Sequence, residues 1–311
     1  MRSVMGRMAA SLGALFFCGC GAPPSVALPR EPKGAVALVS VSVDTETEDA
    51  ENTVASPDFG PSLSPGASSV PSCRLDAPLP AEVRAEASVK ALHQLGQKKI
   101  LEKERQTAVT VLQKANAMAP ENPQIKADYA TALLQCGLVN EGVEALEAAA
   151  LLAPDNADIA ANLAQGYQIA GRFRAARVVY EKAAELAPDD SAILNNLAVV
   201  LVALGEVNAA ETAIRRAIAL RPGETSYLVD LGYILVRQKR LQDAEIVLER
   251  AVNADRNSAD AYNMLGFVYF QLNYRERARE NFERALTLNP NHRAARENLD
   301  ALTGEFHREL E

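Results

Sequence analysis

Residues 157–190 read ADIAANLAQGYQIAGRFRAARVVYEKAAELAPDD, and residues 191–224 read SAILNNLAVVLVALGEVNAAETAIRRAIALRPGE. Laid together without a gap, Leu163 meets Leu197, Ala164 meets Ala198, Gly171 meets Gly205, Ala183 meets Ala217 and Pro188 meets Pro222. Self-similarity at a fixed period is the signature of a stacked repeat architecture. Working outward, Pro120, Pro154, Pro188, Pro222 and Pro290 fall on one 34-residue grid, with Arg256 at the remaining mark. If that mark is position 32 of a unit, six units begin at 89, 123, 157, 191, 225 and 259.

Other positions keep their character along this grid. Position 7 is Leu95, Tyr129, Leu163, Leu197, Leu231 and Leu265; position 8 is always Gly or Ala, small enough for two helices to approach closely. Position 20 is Ala108, Gly142, Ala176, Ala210, Ala244 and Ala278; position 24 is Leu112, Leu146, Tyr180, Ile214, Leu248 and Phe282; position 27 is Ala throughout. Spacings of three, four and seven place these residues on the buried faces of two helices. Gly137, Gly171 and Gly205 fall between the helices, where a helix end wants a left-handed residue. Asp155, Asn156, Asp189, Asp190 or Asn291 are placed to cap the helix that follows the proline.

This pattern resembles the tetratricopeptide repeat over about residues 89–292. The resemblance implies an all-α, right-handed α-solenoid of helix-turn-helix units (89–122, 123–156, 157–190, 191–224, 225–258 and 259–292). The first unit departs most, with charged Lys99 at an apolar position and no turn Gly near Lys103; it reads as a cap preceded by a short helix from about Ala81. Residues 293–311, amphipathic through Ala294, Leu299, Leu302 and Phe306, read as the C-terminal capping helix such stacks require.

Composition agrees with helices: 311 residues, 48% hydrophobic, 5% aromatic and no Trp, with Ala, Leu and Glu dominating the repeats. The formal charge of -8 is uneven, because residues 34–73 hold no Lys or Arg while Asp44, Glu46, Glu48, Asp49, Glu51 and Asp58 crowd that stretch. The repeats mix both signs and carry no basic stripe, which argues against nucleic acid as a partner.

At the N-terminus, Arg2 and Arg7 precede an apolar run of about 10 residues, 8–17, in the manner of a secretory signal peptide over residues 1–19. Phe17-Cys18-Gly19-Cys20, followed by Gly21, resembles the lipobox of bacterial lipoproteins. That resemblance implies lipidation of Cys20 and sorting to the periplasmic face of the outer membrane; plain secretion and a cytoplasmic protein are the alternatives. Residues 20–80, rich in Pro, Ser, Gly and acids, read as a disordered tether. Within it Val39, Val41 and Val43 alternate with Ser40 and Ser42, either a strand that could join a partner's sheet edge or a less soluble piece of linker.

No chemistry-bearing motif is present. His93, His292 and His307 lie far apart without ligand-spaced partners, and there is no phosphate loop, nucleophile elbow or zinc-protease helix. The expectation is no enzyme, no cofactor, no metal and no small-molecule substrate. Cys73 and Cys136 could pair in an oxidising compartment or remain free thiols.

The binding surface is sought on the stripe formed by positions 2, 5, 9 and 12 of each first helix, rotated by roughly 140° from the core stripe. In tetratricopeptide proteins this stripe lines the concave groove that receives protein partners. Thr131, Leu134, Gln165 and Gln168 make it mostly polar in units two and three. Val199, Val202, Tyr233, Val236, Phe267 and Phe270, rimmed by Asn195, Asn196, Asn263 and Arg237, make it apolar in units four to six. Either these residues form a peptide groove, for a strand or a helix, or the closing helix and tighter winding cover them. Anchor, tether and six units together resemble the lipoprotein pilotins of secretin and type IV pilus assembly. An adaptor for peptidoglycan hydrolases or other envelope machinery, or a cytoplasmic chaperone-like binder, are the rival readings.

Overall fold

The computed structural model describes residues 73–79, 83 and 88–309, with side chains up to residue 303. The signal and lipidation region around Cys20, the strand-like stretch 36–43, most of the tether and the side chain of Phe306 lie outside the described residues. So does most of the short helix expected from Ala81.

Thirteen helices and no strand occur among the described residues. The first helices of the six units are α1 (Val89–Leu101), α3 (Pro123–Gln135), α5 (Ala157–Ile169), α7 (Ser191–Ala203), α9 (Thr225–Arg237) and α11 (Ala259–Gln271). Their partners are α2 (Arg105–Met118), α4 (Val139–Leu152), α6 (Phe173–Leu186), α8 (Val207–Leu220), α10 (Leu241–Ala254) and α12 (Arg275–Leu288), and α13 (Arg293–Glu309) closes the stack. Each helix packs on the next. Successive first helices also touch one another, whereas successive second helices do not rank among the packed pairs. First helices therefore make the inner layer of the stack.

The turn inside each unit is the same closure six times. Its left-handed residue is Gly137, Gly171 and Gly205 in units two to four, with φ of 79°, 74° and 78°. Lys103, Lys239 and Asn273 take φ of 61°, 62° and 64° at the same place in units one, five and six. The first unit thus makes its turn without the glycine that its sequence lacks, at a cost of about 1–2 kcal/mol for a side chain in that region. In every unit the next N–H reaches back five residues, as in Arg172 N to Tyr167 O at 2.8 Å and Tyr274 N to Tyr269 O at 2.8 Å. That bond satisfies a carbonyl the helix end would leave bare.

The N-caps correct the sequence reading in part. Asn122, Asn156, Asp190 and Ser258 accept hydrogen bonds from the first-turn N–H groups of their helices, while Glu224 caps with no side-chain bond. Asp155 and Asp189 stand one residue too early, and Asn291 donates its N–H to Asn289 instead. The cap of α13 is His292, whose Nδ1 accepts from Ala295 N at 3.1 Å and whose Nε2 lies 3.0 Å from Asp260.

The core sits between the two helices of each unit. Position 24 residues Leu112, Leu146, Tyr180, Ile214, Leu248 and Phe282 are at most 1% exposed, and the position 27 alanines are fully buried. Burying such a side chain contributes roughly 1.5–3 kcal/mol. Glycine at position 8 is required where the facing side chain leaves no room: a Cβ on Gly266 would lie 2.8 Å from the Phe282 ring. Lys99, in the apolar slot of unit one, is buried, and its Nζ meets Glu104 at 2.9 Å and Glu102 at 3.2 Å. The hydrogen bond to Glu104 foremost holds that ammonium above its ordinary pKa against the opposing effect of burial. The buried face of α13 runs through Ala295, Asn298 and Leu302, so Ala295 rather than Ala294 leads it.

Candidate functional site

The inner layer presents the stripe singled out from sequence, and packing divides it in two. Asn195, Val202, Asn263 and Phe267 are buried. Val199, Tyr233, Val236, Phe270 and Asn196 are half-buried, and Arg237 is exposed. Four of the ten candidate residues are therefore removed from direct access: Asn195 and Asn263 at position 5, Phe267 at position 9 and Val202 at position 12. Asn263 is covered by α13, whose Asn298 Nδ2 donates to its Oδ1 at 2.9 Å. Asn196 is held by the phenol of Tyr180, which burial pushes up in pKa and this bond lowers part-way.

The accessible floor is thus Val199 on α7, Tyr233 and Val236 on α9, and Phe270 on α11. Helical spacing aligns them, and Tyr233, Val236 and Phe270 rest on the core beneath. Arg237 bounds one side: its guanidinium lies 5.9 Å from the Tyr233 ring centroid and its Nη1 donates to Tyr233 Oη at 3.1 Å. That contact fixes the ring as a rigid wall.

A second feature escaped the sequence reading. Carboxylates recur on the first helices: Asp190 and Glu224 at the N-caps of α7 and α9, Asp158 and Asp260 in the first turns of α5 and α11, where Asp260 meets His292, and Asp230 midway along α9. All five are half-buried. Burial first, and the neighbouring Asp190 second, raise the pKa of Asp158. Reading positions 2, 6 and 34 of each unit as columns would have found them.

Asn195 is the anomaly of the stripe. It lies four and seven residues before Val199 and Val202, is fully buried, and neither its Nδ2 nor its Oδ1 has a hydrogen-bond partner. In the equivalent place of unit one, His93 meets Asp128 of the next unit at 2.6 Å.

At the N-terminal end of the stack, Cys73 and Cys136 form a disulfide with Cα atoms 5.5 Å apart. Arg74 N donates to Gln106 Oε1 at 2.7 Å and Gln106 Nε2 donates to Arg74 O at 2.8 Å. Residues 73 and 74 are thereby fixed against α2 and the end of α3. Among the described residues no cluster of three or more His, Cys, Asp or Glu has metal-site geometry, and no helix is long and apolar enough to cross a membrane.

Comparison with known proteins identifies the repeat. Residues 99–166 match the tetratricopeptide repeat family, and residues 160–276 match the middle TPR-like domain of cilia- and flagella-associated protein 70. No curated protein matches the chain in sequence. Among solved structures, the chain is similar to one in the APC/C hetero-tetramer Cut9–Hcn1, with a TM-score of 0.61 and 18% identity over 69% of this chain. It spans only 42% of that protein's length. It is also similar to PilF of Pseudomonas aeruginosa (TM-score 0.58, 17% identity, 67% of this chain and 95% of PilF). A tetratricopeptide repeat protein from Parabacteroides merdae gives a TM-score of 0.57 at 15% identity, over 69% of this chain and 84% of its own. At such identities the likeness is one of fold. The family matches, the six equal turns and the shared fold together make residues 99–276 a run of tetratricopeptide repeats, the building block of protein-binding scaffolds.

Proposed function

We propose that this chain is a non-catalytic scaffold of the bacterial envelope, anchored through lipid on Cys20 and gripping a partner protein on the inner face of units four to six. The observation that carries the grip is the floor of Val199, Tyr233, Val236 and Phe270, apolar positions of the inner layer that neighbouring units leave half-open. An envelope location is supported by the lipobox-like Cys20 and by the Cys73–Cys136 disulfide, a bond that persists in oxidising compartments. The specific form of the reading is a pilotin-like factor for secretin or type IV pilus assembly; the order of anchor, acidic tether and six repeats supports it.

A photo-cross-linking side chain placed at Tyr233 in living cells tests the grip. One or a few discrete adducts are expected, lost on Val236→Asp with Phe270→Asp while helicity is retained. Adducts unchanged by the double substitution would move the site elsewhere. Palmitate labelling that survives Cys20→Ser would remove the anchor. Heat-resistant secretin multimers formed normally without this protein would remove the pilotin-like role.

A further inference from the structure

Residues 35–43 read AVALVSVSV, seven apolar residues and two serines, directly followed by the acids Asp44, Glu46, Glu48 and Asp49. No other run of this length in residues 21–72 lacks both charge and proline, so this is the part of the tether with apolar surface to bury. The disulfide relates it to the floor. Cys73 is held on Cys136, the C-cap residue of α3, and floor positions 9 and 12 likewise lie in the C-terminal halves of the first helices. Repeat symmetry points the first helices the same way, so the fixed residue and the floor lie toward one end of that layer. From α3 to α9 there are three steps between touching first helices, about 25–30 Å at 8–10 Å each. Val43 stands 30 residues before Cys73, and a Gly/Ser-rich coil of that length spans about 30 Å root-mean-square. Reach and span match.

We propose that residues 36–43 of this same chain lie on the floor of Val199, Tyr233, Val236 and Phe270, and that a partner binds by displacing them. The proposal rests on the groove reading above and names the resting occupant of that groove. In an extended form residues 36–43 cover about 23 Å, enough to cross α7, α9 and α11. Alternation then turns Val39, Val41 and Val43 to the apolar floor and Ser40 and Ser42 to water. Charge agrees with this placement. Arg237 is exposed and touches the floor through Tyr233, and Asp44 and Glu46 follow the last valine. A tether whose reach matches its span presents its segment at an effective concentration in the mM range. A second copy of the chain, free in solution, does not reach that concentration, so the occupant is the chain's own segment.

The test uses purified full-length protein in detergent, with the photo-cross-linking side chain at Tyr233. Irradiation is expected to give an adduct within the monomer, mapped by mass spectrometry to the tryptic peptide 34–74. Val39→Asp with Val41→Asp, changes made outside the helical units, should abolish it. A fluorescein-labelled peptide of residues 35–51 then reports the vacated floor. Anisotropy titration is expected to show it binding the Val39→Asp, Val41→Asp protein at least tenfold tighter than the parent, whose floor is already filled from within. Val236→Asp with Phe270→Asp abolishes binding in either background while helicity is retained. In cells, the tether variant should raise the partner adducts at Tyr233 severalfold. Adducts confined to a covalent dimer and growing with protein concentration assign the floor to a second copy and overturn the proposal. Equal binding of the peptide to both proteins, or binding to neither, overturns it as well. If it falls in that way and the partner adducts in cells still vanish on Val236→Asp with Phe270→Asp, the groove stands without its internal occupant. Partner adducts that persist remove the groove, and the proposal with it.

Discussion

Asn298 donates its side-chain N–H to Oδ1 of Asn263 across 2.9 Å, and both amides are buried. This bond locks α13 onto α11 in the register that His93 and Asp128 use between α1 and α3. It makes α13 a half-unit that continues the stack, and it withdraws Asn263 from the groove.

Asn298→Ala leaves Asn263 Oδ1 buried and unsatisfied, so a loss of about 1–3 kcal/mol is expected. Hydrogen exchange localises it: amides of α11 and α13 should lose protection while those of α3 and α5 keep theirs. Replacing both residues with Leu removes the orphan acceptor and should recover most of the loss. Equal destabilisation by the single and double changes would mean the bond does not govern the closure.

Glycine substitutions separate crowding from backbone conformation. Gly266→Ala gains up to about 1 kcal/mol of helix propensity. It also drives a methyl to 2.8 Å from Phe282 and 3.2 Å from Ala278 O. Overpacking against a fully buried ring costs roughly 1–3 kcal/mol, so a net loss should appear in urea unfolding. Lys239→Gly, at φ 62°, should instead stabilise by up to about 1 kcal/mol, the left-handed cost relieved less the extra chain entropy.

Reduction of the Cys73–Cys136 bond opens a loop spanning 63 residues. The chain-entropy relation sets the loss at up to about 4 kcal/mol. Thermal unfolding with and without reductant measures it. Cys73→Ser in the presence of Cys136→Ser should match the reduced protein and no longer respond to reductant. Proteolysis near residue 79 should quicken as residues 73–79 leave Gln106.

Glu211 joins units four and five. Burial would raise its carboxyl pKa, but hydrogen bonds from Gln238, Arg215 and Arg240 together hold it below the usual 4.5. A depressed acid contributes stability that is complete above the unfolded value and is lost as pH falls through the lower folded value. Glu211→Gln should therefore cost about 1–3 kcal/mol at neutral pH. The difference from the parent protein should shrink only below pH 4.5. A cost that persisted unchanged into strong acid would exclude the charge as its source.

The core was legible because each of its positions answers to one requirement repeated six times. Leu112 or Phe282 must fill the gap between two helices, and the alanines at position 27 must let them close. The turns were legible only where glycine marked them. Lys103, Lys239 and Asn273 adopt the same left-handed backbone because five-residue back-bonds and helix packing outweigh a cost of about 1–2 kcal/mol at one residue. A lysine in the sequence does not announce this. The groove was half-legible: helical spacing placed ten residues on the inner face, but burial by neighbouring elements, which took Asn195, Val202, Asn263 and Phe267 out of reach, is not written in any one unit.

By itself the sequence determined the period, the two helices of each unit, the small residues at their crossing and the apolar turn of the inner stripe in units four to six. These follow from local rules, since 3.6 residues per turn and side-chain size act within a unit. Only the tertiary structure decided which stripe residues remain open. Val199, Tyr233, Val236 and Phe270 stay half-exposed while Asn195, Val202, Asn263 and Phe267 are covered. How far one first helix overlaps the next depends on the contacts between units and on α13, which no single unit encodes.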